Sequence, residues 1–314
     1  MGATRARWPA SVGAADEAGR ERGARPMTSC RSGSANSAAG APFALTIVDA
    51  RISEDTPRDL RGVRVLAAHL DERFGPAPGT RLEGRRGPFE RTSWRDDLPA
   101  SRKLLADAGA AAAGALARGE RPLTLASDCS LAIGTLPAAA GAIPELSVLW
   151  LDAHADYDTP ATQTYDFLGC MSLAGACRAW DTGLGGISPT TVLHVGARAS
   201  PGDFDYAGQE QARGELRAML PAGATTETVL AALAPGPVYV HLDPDVLDPV
   251  DFPVPYGRAG GLRAAALVEL CGAVAGGRHV IGVEVTAFHR ADDEPTRDRV
   301  CALLGDAVEA LLGG

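Results

Sequence analysis

Two carboxylates and one imidazole alternate along the chain directly after a short apolar run. Residues 147–151 are apolar apart from the first, and Asp152, His154 and Asp156 follow them at every second position. Because alternate side chains of an extended chain point to the same side, these three groups can converge where the strand ends. Oxygen donors with one imidazole suit Mn2+ or Zn2+. Taken alone, the pattern fits a metal site and a solvated acidic turn about equally well.

A second apolar run, at residues 238–242, ends in the same way, with Asp243 and Asp245. The carboxyl ends of parallel strands share one edge of an α/β sheet, and ligands bind at that edge. The two segments would together place four carboxylates around one point. Buried carboxylates repel each other strongly unless a cation lies among them. The pair of segments therefore predicts a metal site.

Strand and helix patterns alternate from residue 43 onward, which predicts an α/β fold with a mostly parallel sheet flanked by helices. We see no domain boundary after residue 43. The segment 75–98, with Gly, Pro and many charges, is expected to be a loop. The expected strands are 44–48, 122–126, 147–151, 191–195, 238–242 and 279–285, and the expected helices are 60–74, 101–118, 129–140 with an interruption at Pro137, 171–180, 226–233, 262–274 and 297–312.

Residues 1–42 are rich in Ala, Arg, Gly and Ser and have no apolar periodicity, so disorder is expected. The segment could also be a basic tail with its own role, or an artefact of start-codon choice, since Met27 is available. Residues 43–314 are expected to form one catalytic domain.

Charge and composition exclude several classes of protein. The net charge of -9 argues against a nucleic-acid partner. No apolar run reaches the roughly 18 residues of a membrane span, and 41–48 is too short and too late for a signal peptide. The six cysteines form no CxxC pair, which favours a reduced, cytoplasmic protein.

Several motifs together resemble those of the ureohydrolases, the family of arginase, agmatinase and formiminoglutamase. Residues 152–156 resemble the family's DAHxD motif, and 243–249 resemble DxDxxDP. Gly260-Gly261-Leu262 and Glu284 resemble the GGL and MEVNP elements. The resemblance extends over about residues 43–314 and implies the three-layer arginase-like fold.

The resemblance also implies an enzyme with a binuclear manganese site. The two metals would lower the pKa of a water molecule, and the resulting hydroxide would attack the guanidinium carbon of a small-molecule substrate. Asp156 would hold the water and pass on its proton. Glu284 would bind the guanidinium through paired hydrogen bonds, although a solvent-facing carboxylate is an alternative. The family also suggests a trimer or hexamer. The implied metal ligands are Cys129, Asp152, His154, Asp156, Asp243 and Asp245.

Cys129 occupies the position at which the family has its first histidine ligand, in the run 126–129. The residue is either a packed thiol or a thiolate ligand. Because thiolate is a soft donor and Mn2+ prefers oxygen, the metal beside Cys129 should be bound weakly or differ in identity. We expect one partial site and one well-filled site, the latter formed by Asp152, His154, Asp243 and Asp245.

Cys170 stands where arginases have a histidine that shuttles protons, so that shuttle is absent. The loop 168–177 and Cys129 both resemble the branch of the family that hydrolyses N-omega-hydroxy-L-arginine in D-cycloserine biosynthesis. The implied products are ornithine and hydroxyurea. Ordinary arginase or agmatinase activity is the first alternative, and a degenerate member that binds a ligand without turnover is the second.

The loop after residue 156 supplies the expected substrate-binding residues, Asp158, Thr164 and Asp166. Carboxylates at these positions would repel an α-carboxylate and attract an amine, so an agmatine-like substrate stays open. An equally good interpretation is that Asp158 and Asp166 only cap turns of the loop.

The remaining histidines are expected to be structural. His241 should be a core histidine with a backbone partner, although its side of the strand also allows a place near the metals. His194 and His279 lie in expected strands, and His289 is a candidate for the pocket wall.

Overall fold

The computed structural model describes residues 43–53, 61–75, 79–86, 90–254, 256–288 and 294–313. The interpretations given above for residues 1–42, for Met27 and for His289 lie outside these ranges. The described residues alternate between strands and helices, as the sequence predicts.

Within the described ranges, one sheet of eight strands forms the centre of the fold. The strands are β1 (Phe43–Asp49), β2 (Gly79–Glu83), β3 (Arg121–Leu125), β4 (Ser147–Leu151), β5 (Val192–Val195), β6 (Ala218–Leu220), β7 (Val238–Leu242) and β8 (Val280–Val285). Their order across the sheet is β2-β1-β3-β8-β7-β4-β5-β6. Every pair of neighbours is parallel, so all carboxyl ends lie along one edge.

Helices cover both faces of the sheet. They are α1 (Arg61–Phe74), α2 (Trp94–Ala117), α3 (Ala132–Ala142), α4 (Ser172–Ala176), α5 (Tyr206–Glu215), α6 (Thr226–Ala232), α7 (Ala264–Gly277) and α8 (Glu294–Leu312). Helices α1, α6, α7 and α8 contribute to the core on one face, and α3 and α4 to a core on the other. No helix in the described part of the chain is long and apolar enough to cross a membrane.

Strand β4 explains why the central strands appear as continuous apolar runs. Leu149 and Leu151 belong to the core on one face of the sheet, whereas Val148 and Trp150 belong to the core on the other. A parallel strand that is covered on both faces cannot alternate between apolar and polar residues. The predicted three-layer α/β fold with a parallel sheet is confirmed.

Three elements were missed by the sequence prediction: β2, β6 and α5. The two strands lie at the edges of the sheet, and neither contains a buried residue, so they carry no apolar pattern. The expected loop 75–98 instead contains β2 and the start of α2, where the Ser93 hydroxyl accepts a hydrogen bond from the amide of Arg95. Helix α3 continues through Pro137 without the expected interruption.

Candidate active site

Neighbouring strands β4 and β7 bring the two acidic segments together. Trp150 pairs with His241 and Leu151 with Leu242, so Asp152 and Asp243 leave the sheet side by side. The amide of Asp243 still donates to the carbonyl of Leu151, at 2.9 Å, which continues the pairing one residue past the strand. This register places the carboxylates of both segments on the same edge of the sheet.

The His154 cluster consists of Asp152, His154 and Asp245, each with a candidate ligand atom within 4.8 Å of the others. The imidazole Nδ1 of His154 lies 2.9 Å from Asp245 Oδ2 and 3.6 Å from Asp152 Oδ1. Backbone amides hold the carboxylates in place: His154 donates to Asp152 Oδ1 at 2.7 Å, and Ala153 to Asp245 Oδ1 at 3.0 Å. His154 Nε2 is buried and has no hydrogen-bond partner in the described part of the chain.

The Cys129 cluster consists of Cys129, Asp152 and His241, which also have candidate ligand atoms within 4.8 Å of one another. Cys129 begins a 3-10 turn, which the Asp128 carboxylate caps by accepting from the amide of Ser130 at 2.8 Å. The thiol donates to Asp243 Oδ2 at 3.1 Å. The turn therefore points the sulfur at the carboxylates that follow β4 and β7.

The buried carboxylates shift one another's proton affinity. Burial, and then the charge of Asp245, raise the pKa of Asp152 to about 6. Burial, and then neighbouring carboxylates, raise the pKa values of Asp156 and Asp243 well above their usual range. Burial works in the same direction on Asp245, but the charge of His154 prevails and lowers the Asp245 pKa to about 2. Asp152, Asp156 and Asp243 therefore hold their protons to higher pH when no cation lies beside them.

The donor set fits a pair of divalent metal ions. The two clusters combine one sulfur, two imidazoles and the two carboxylates of Asp152 and Asp245; they share Asp152, all their members are buried, and Asp156 and Asp243 lie beside them in the pocket lining. Buried carboxylates in such numbers need compensating charge, which metal ligation supplies. Nδ1 of His154 faces the two carboxylates, and its Nε2 has no hydrogen-bond partner in the described part of the chain, so Nε2 is left for a ligand.

An aromatic pocket leads to these groups. Among the described residues, its lining contains no Lys or Arg side chain. The lining residues are Asp128, Cys129, His154, Asp156, Tyr165, Phe167, Gly169, Cys170, Phe204, Asp243, Asp245, Tyr256 and Ala287. The Tyr165 and Phe204 rings lie 4.9 Å apart, and the Phe204 ring lies 6.2 Å from the His154 ring. The pocket thus offers acidic groups at its base and aromatic faces at its sides.

Comparison with known proteins identifies the family. The arginase family pattern matches residues 40–307. The chain belongs to the arginase family. An N(omega)-hydroxy-L-arginine amidinohydrolase from Streptomyces lavendulae is 30% identical over 266 residues, which cover 84% of this chain and 95% of that protein.

Solved structures of arginase-family proteins have the same fold. The arginase of Bacillus caldovelox superposes with a TM-score of 0.71 at 24% identity, over 87% of this chain and 99% of that one. A proclavaminate amidino hydrolase from Streptomyces clavuligerus superposes with a TM-score of 0.62 at 18% identity, over 87% and 92% of the two chains.

The predicted metal ligands of this arginase-family chain all lie at one edge of the sheet. Four of them line the pocket together with Cys129: His154, Asp156, Asp243 and Asp245. Asp152 lies just behind the lining and receives a hydrogen bond from Trp150 Nε1 at 3.0 Å. Asp156 has a φ of 49°, a left-handed conformation that turns the chain away from the strand direction.

The three predicted substrate-binding residues lie outside the pocket lining. Asp158 is buried, and its Oδ1 accepts from the Thr162 hydroxyl at 3.4 Å. The Thr164 hydroxyl donates to the carbonyl of Phe204, and Asp166 is exposed and accepts from the Ser93 hydroxyl. Their role in substrate binding stays a prediction.

Glu284 is also placed away from the pocket lining. It is fully buried, and its two oxygens lie 2.6 Å from His241 Nδ1 and 2.6 Å from the Thr135 hydroxyl. Binding of a guanidinium by Glu284 therefore stays a prediction that would require these contacts to change. The prediction that the His241 ring has a backbone hydrogen-bond partner is wrong, because its Nδ1 contacts the carboxylate of Glu284.

The sequence analysis missed the aromatic walls of the pocket. Tyr165 and Phe167 lie in a loop whose polar residues were given the substrate-binding role. Phe204 and Tyr256 lie in Gly- and Pro-containing loops after β5 and β7, far apart in sequence. The available signal was compositional, since aromatic residues are only 5% of the chain and two of them flank Asp166.

Proposed function

We propose that this protein is a metal-dependent amidinohydrolase that acts on a guanidino or N-hydroxyguanidino group. The proposed substrate is hydroxyarginine-like, and the products are ornithine and hydroxyurea. The observation that carries the proposal is that two candidate metal clusters share Asp152 beside an aromatic pocket. The hydroxyarginine amidinohydrolase named above supports the N-hydroxyguanidino class, since it matches most of both chains.

Manganese is the proposed cofactor. Bound ions would lower the pKa of a water molecule and so supply hydroxide at neutral pH. Asp152, His154, Asp243 and Asp245 offer the oxygen and imidazole donors of a well-filled Mn2+ site. Cys129 makes the second site less suited to Mn2+, because thiolate is a soft donor.

Asp156 is the proposed proton carrier. Its carboxylate lines the pocket beside His154 and Cys170, within reach of a substrate there. During hydrolysis a C–O bond forms at the guanidinium carbon and a C–N bond breaks. Asp156 would take the proton of the attacking water and deliver it to the departing nitrogen, which becomes the amine of the product.

The pocket walls suit a flat, cationic group. A guanidinium that enters would meet the Tyr165 and Phe204 rings and the acidic lining residues, and cations bind favourably over aromatic faces. Arg91 and Arg258 already lie over these two rings, with Cζ 4.7 Å and 5.8 Å from the ring centroids, so a substrate cation would use the opposite ring faces. The described lining residues include no Lys or Arg, so none of them would pair with an amino-acid carboxylate. Movement of the loop 158–169 would be needed for Asp158, Thr164 and Asp166 to hold the substrate's amine.

Two alternative functions are tested together with the proposed one. Ordinary arginase or agmatinase would use the same metal site and release urea, and a non-catalytic member would bind ligand without turnover. We also propose that the protein is a homotrimer or homohexamer and that it is cytoplasmic. Neither nucleic acid nor a membrane is a proposed partner.

One experiment separates these functions. The Mn2+-loaded protein is incubated with arginine, hydroxyarginine and agmatine, and both urea and hydroxyurea are assayed, with the metal-free protein as the control. Hydroxyurea from hydroxyarginine alone supports the proposal. Urea from arginine or agmatine supports the first alternative, and no product from any substrate overturns the hydrolase assignment.

A further inference from the structure

His241 lies in β7, two residues before Asp243, which follows the strand. Its ring is fully buried and stacks on Trp150, with centroids 3.5 Å apart and planes 4° apart. The partner strand therefore fixes the plane of the imidazole.

A carboxylate fixes which nitrogen carries the proton. Glu284 Oε1 lies 2.6 Å from His241 Nδ1, and a carboxylate can only accept, so Nδ1 donates. The other oxygen of Glu284 accepts from the Thr135 hydroxyl at 2.6 Å, which anchors the carboxylate to α3. Nε2 is then the ring nitrogen left for a metal.

Nε2 is on the Cys129 side of the ring, with the hydroxyl of Thr286 between it and the sulfur. Nε2 lies 3.3 Å from the Thr286 hydroxyl, and this hydroxyl lies 3.1 Å from the Cys129 sulfur. A ring nitrogen of His241, the sulfur of Cys129 and a carboxylate oxygen of Asp152 lie within 4.8 Å of one another.

We propose that His241 is a metal ligand through Nε2, and that it completes a sulfur–nitrogen–oxygen site with Cys129 and Asp152. Metal-bound histidines commonly donate their other ring N–H to a carboxylate, and Glu284 occupies that position. Burying Thr135, Glu284 and His241 as a purely structural network would be costly compared with apolar residues. The inference rests on the proposed function only in that a metal is bound.

The donor set selects the metal. Thiolate, imidazole and carboxylate together suit Zn2+ or Co2+ in four-fold coordination, whereas Mn2+ prefers oxygen ligands. The Cys129 cluster therefore takes Zn2+ or Co2+, and Glu284 is its positioning residue. The His154 cluster, with two carboxylates and one imidazole, is left for Mn2+.

The test measures metal binding at the Cys129 cluster, separately from activity. Co2+ bound to a cysteine thiolate gives a near-ultraviolet charge-transfer band, and Cys129→Ser assigns that band by removing it. We expect His241→Gln to weaken the Co2+ affinity read from the band at least about tenfold, and Glu284→Gln to weaken it about 10- to 100-fold. His194→Gln is the matched control, since His194 is an equally buried strand histidine outside both clusters. Its Nε2 contacts the carbonyl of His154, in the other cluster, so we expect it to leave the Co2+ affinity of the Cys129 cluster unchanged.

X-ray absorption on the zinc-loaded wild-type protein gives an answer that needs no variant. Two bound zinc ions should show on average one imidazole each, from His154 and His241. One imidazole for every two zinc ions, or an unchanged Co2+ band and affinity in folded His241→Gln, would overturn the inference while the hydrolase proposal stands. A wild-type protein that binds no metal at all would overturn both.

Discussion

His154 and Asp245 face each other across the gap between two strands, with Nδ1 2.9 Å from Oδ2. Burial opposes both charges, but each group stabilises the charged form of the other: the pKa of His154 is raised well above its usual range and that of Asp245 is lowered to about 2. The backbone amide of Ala153 holds the other Asp245 oxygen. This arrangement presets the carboxylate for a cation that would displace the imidazole proton.

Replacement of Asp245 tests that arrangement. Loss of a residue that only hydrogen-bonds to a metal ligand weakens metal binding roughly 10- to 100-fold. We expect Asp245→Asn, which removes a ligand itself, to weaken Mn2+ binding by more than that. Isothermal titration of the metal-free protein with Mn2+ measures this. Asp248→Asn makes the same change three residues further on, at a carboxylate outside both clusters, and should bind Mn2+ as the wild type does. Equal affinities in the two variants would remove Asp245 from the ligand set.

Asp156 is expected to matter for turnover. The Asp156→Asn variant should fold normally, because asparagine tolerates the left-handed φ of 49° at this position. We expect kcat to fall about 10²- to 10⁴-fold through loss of the proton carrier. Steady-state kinetics at matched metal content checks this, and a variant within a few-fold of wild-type kcat would assign proton transfer to another group.

Cys129 controls the occupancy of its cluster by manganese. After loading with Mn2+, the wild type should hold one ion firmly and a second only in part, because thiolate is a poor ligand for this metal. The Cys129→His variant, with an imidazole in place of the thiol, should hold more Mn2+. Elemental analysis after removal of free metal measures both, and an occupancy close to two in wild type and variant alike would contradict the prediction.

The sequence was sufficient to place Asp152 beside Asp243, but not to find the partner of His241. The first result follows because buried parallel strands leave apolar runs, and their carboxyl ends must share an edge. The second depends on β8 lying next to β7, which pairs His241 with Glu284 across 43 residues of sequence. The order of strands in a parallel sheet cannot be predicted from the local sequence pattern of each strand.

The aromatic residues of the pocket lining could not be predicted from the sequence for a similar reason. Phe204 and Tyr256 come from separate loops and meet the Tyr165 region only in the folded structure. The polar residues of that loop drew attention because they could bind an amine. Asp166 instead turns outward, with a left-handed φ of 59° and a hydrogen bond to Ser93.

Phe204 provides a test of the aromatic wall. Phe204→Leu keeps apolar bulk but removes the ring face, so KM for hydroxyarginine should rise roughly 2- to 30-fold, which corresponds to about 0.5–2 kcal/mol of cation–aromatic attraction. Phe204→Tyr keeps the face and should keep KM. The expected kcat is similar in all three proteins. An equal KM for Leu and Phe would show that the ring does not contact the cation.

The last prediction concerns Asp158, which is almost fully buried against Gly208 of α5. A Cβ at Gly208 would lie 2.5 Å from Asp158 Oδ1, and Asp158 Oδ2 has no hydrogen-bond partner among the described residues. Burial, and then the charge of Asp205, raise the pKa of Asp158 from 3.8 to about 7. The folded protein thus keeps a proton that the unfolded chain loses at lower pH.

The sign of the effect follows from proton linkage. The stabilising contribution of Asp158 is complete below pH 3.8 and is lost as pH rises through about 7. Its full size is roughly 4 kcal/mol, at about 1.4 kcal/mol per tenfold change. Asp158→Asn carries no charge, so its stability relative to wild type should be greater at pH 8 than at pH 5. Urea unfolding at both pH values, with saturating metal present so that the cluster carboxylates stay ligated, measures the difference. A stability difference independent of pH would mean that Asp158 is already ionised in the folded protein at pH 5, and that a cation or donor outside the described contacts neutralises it.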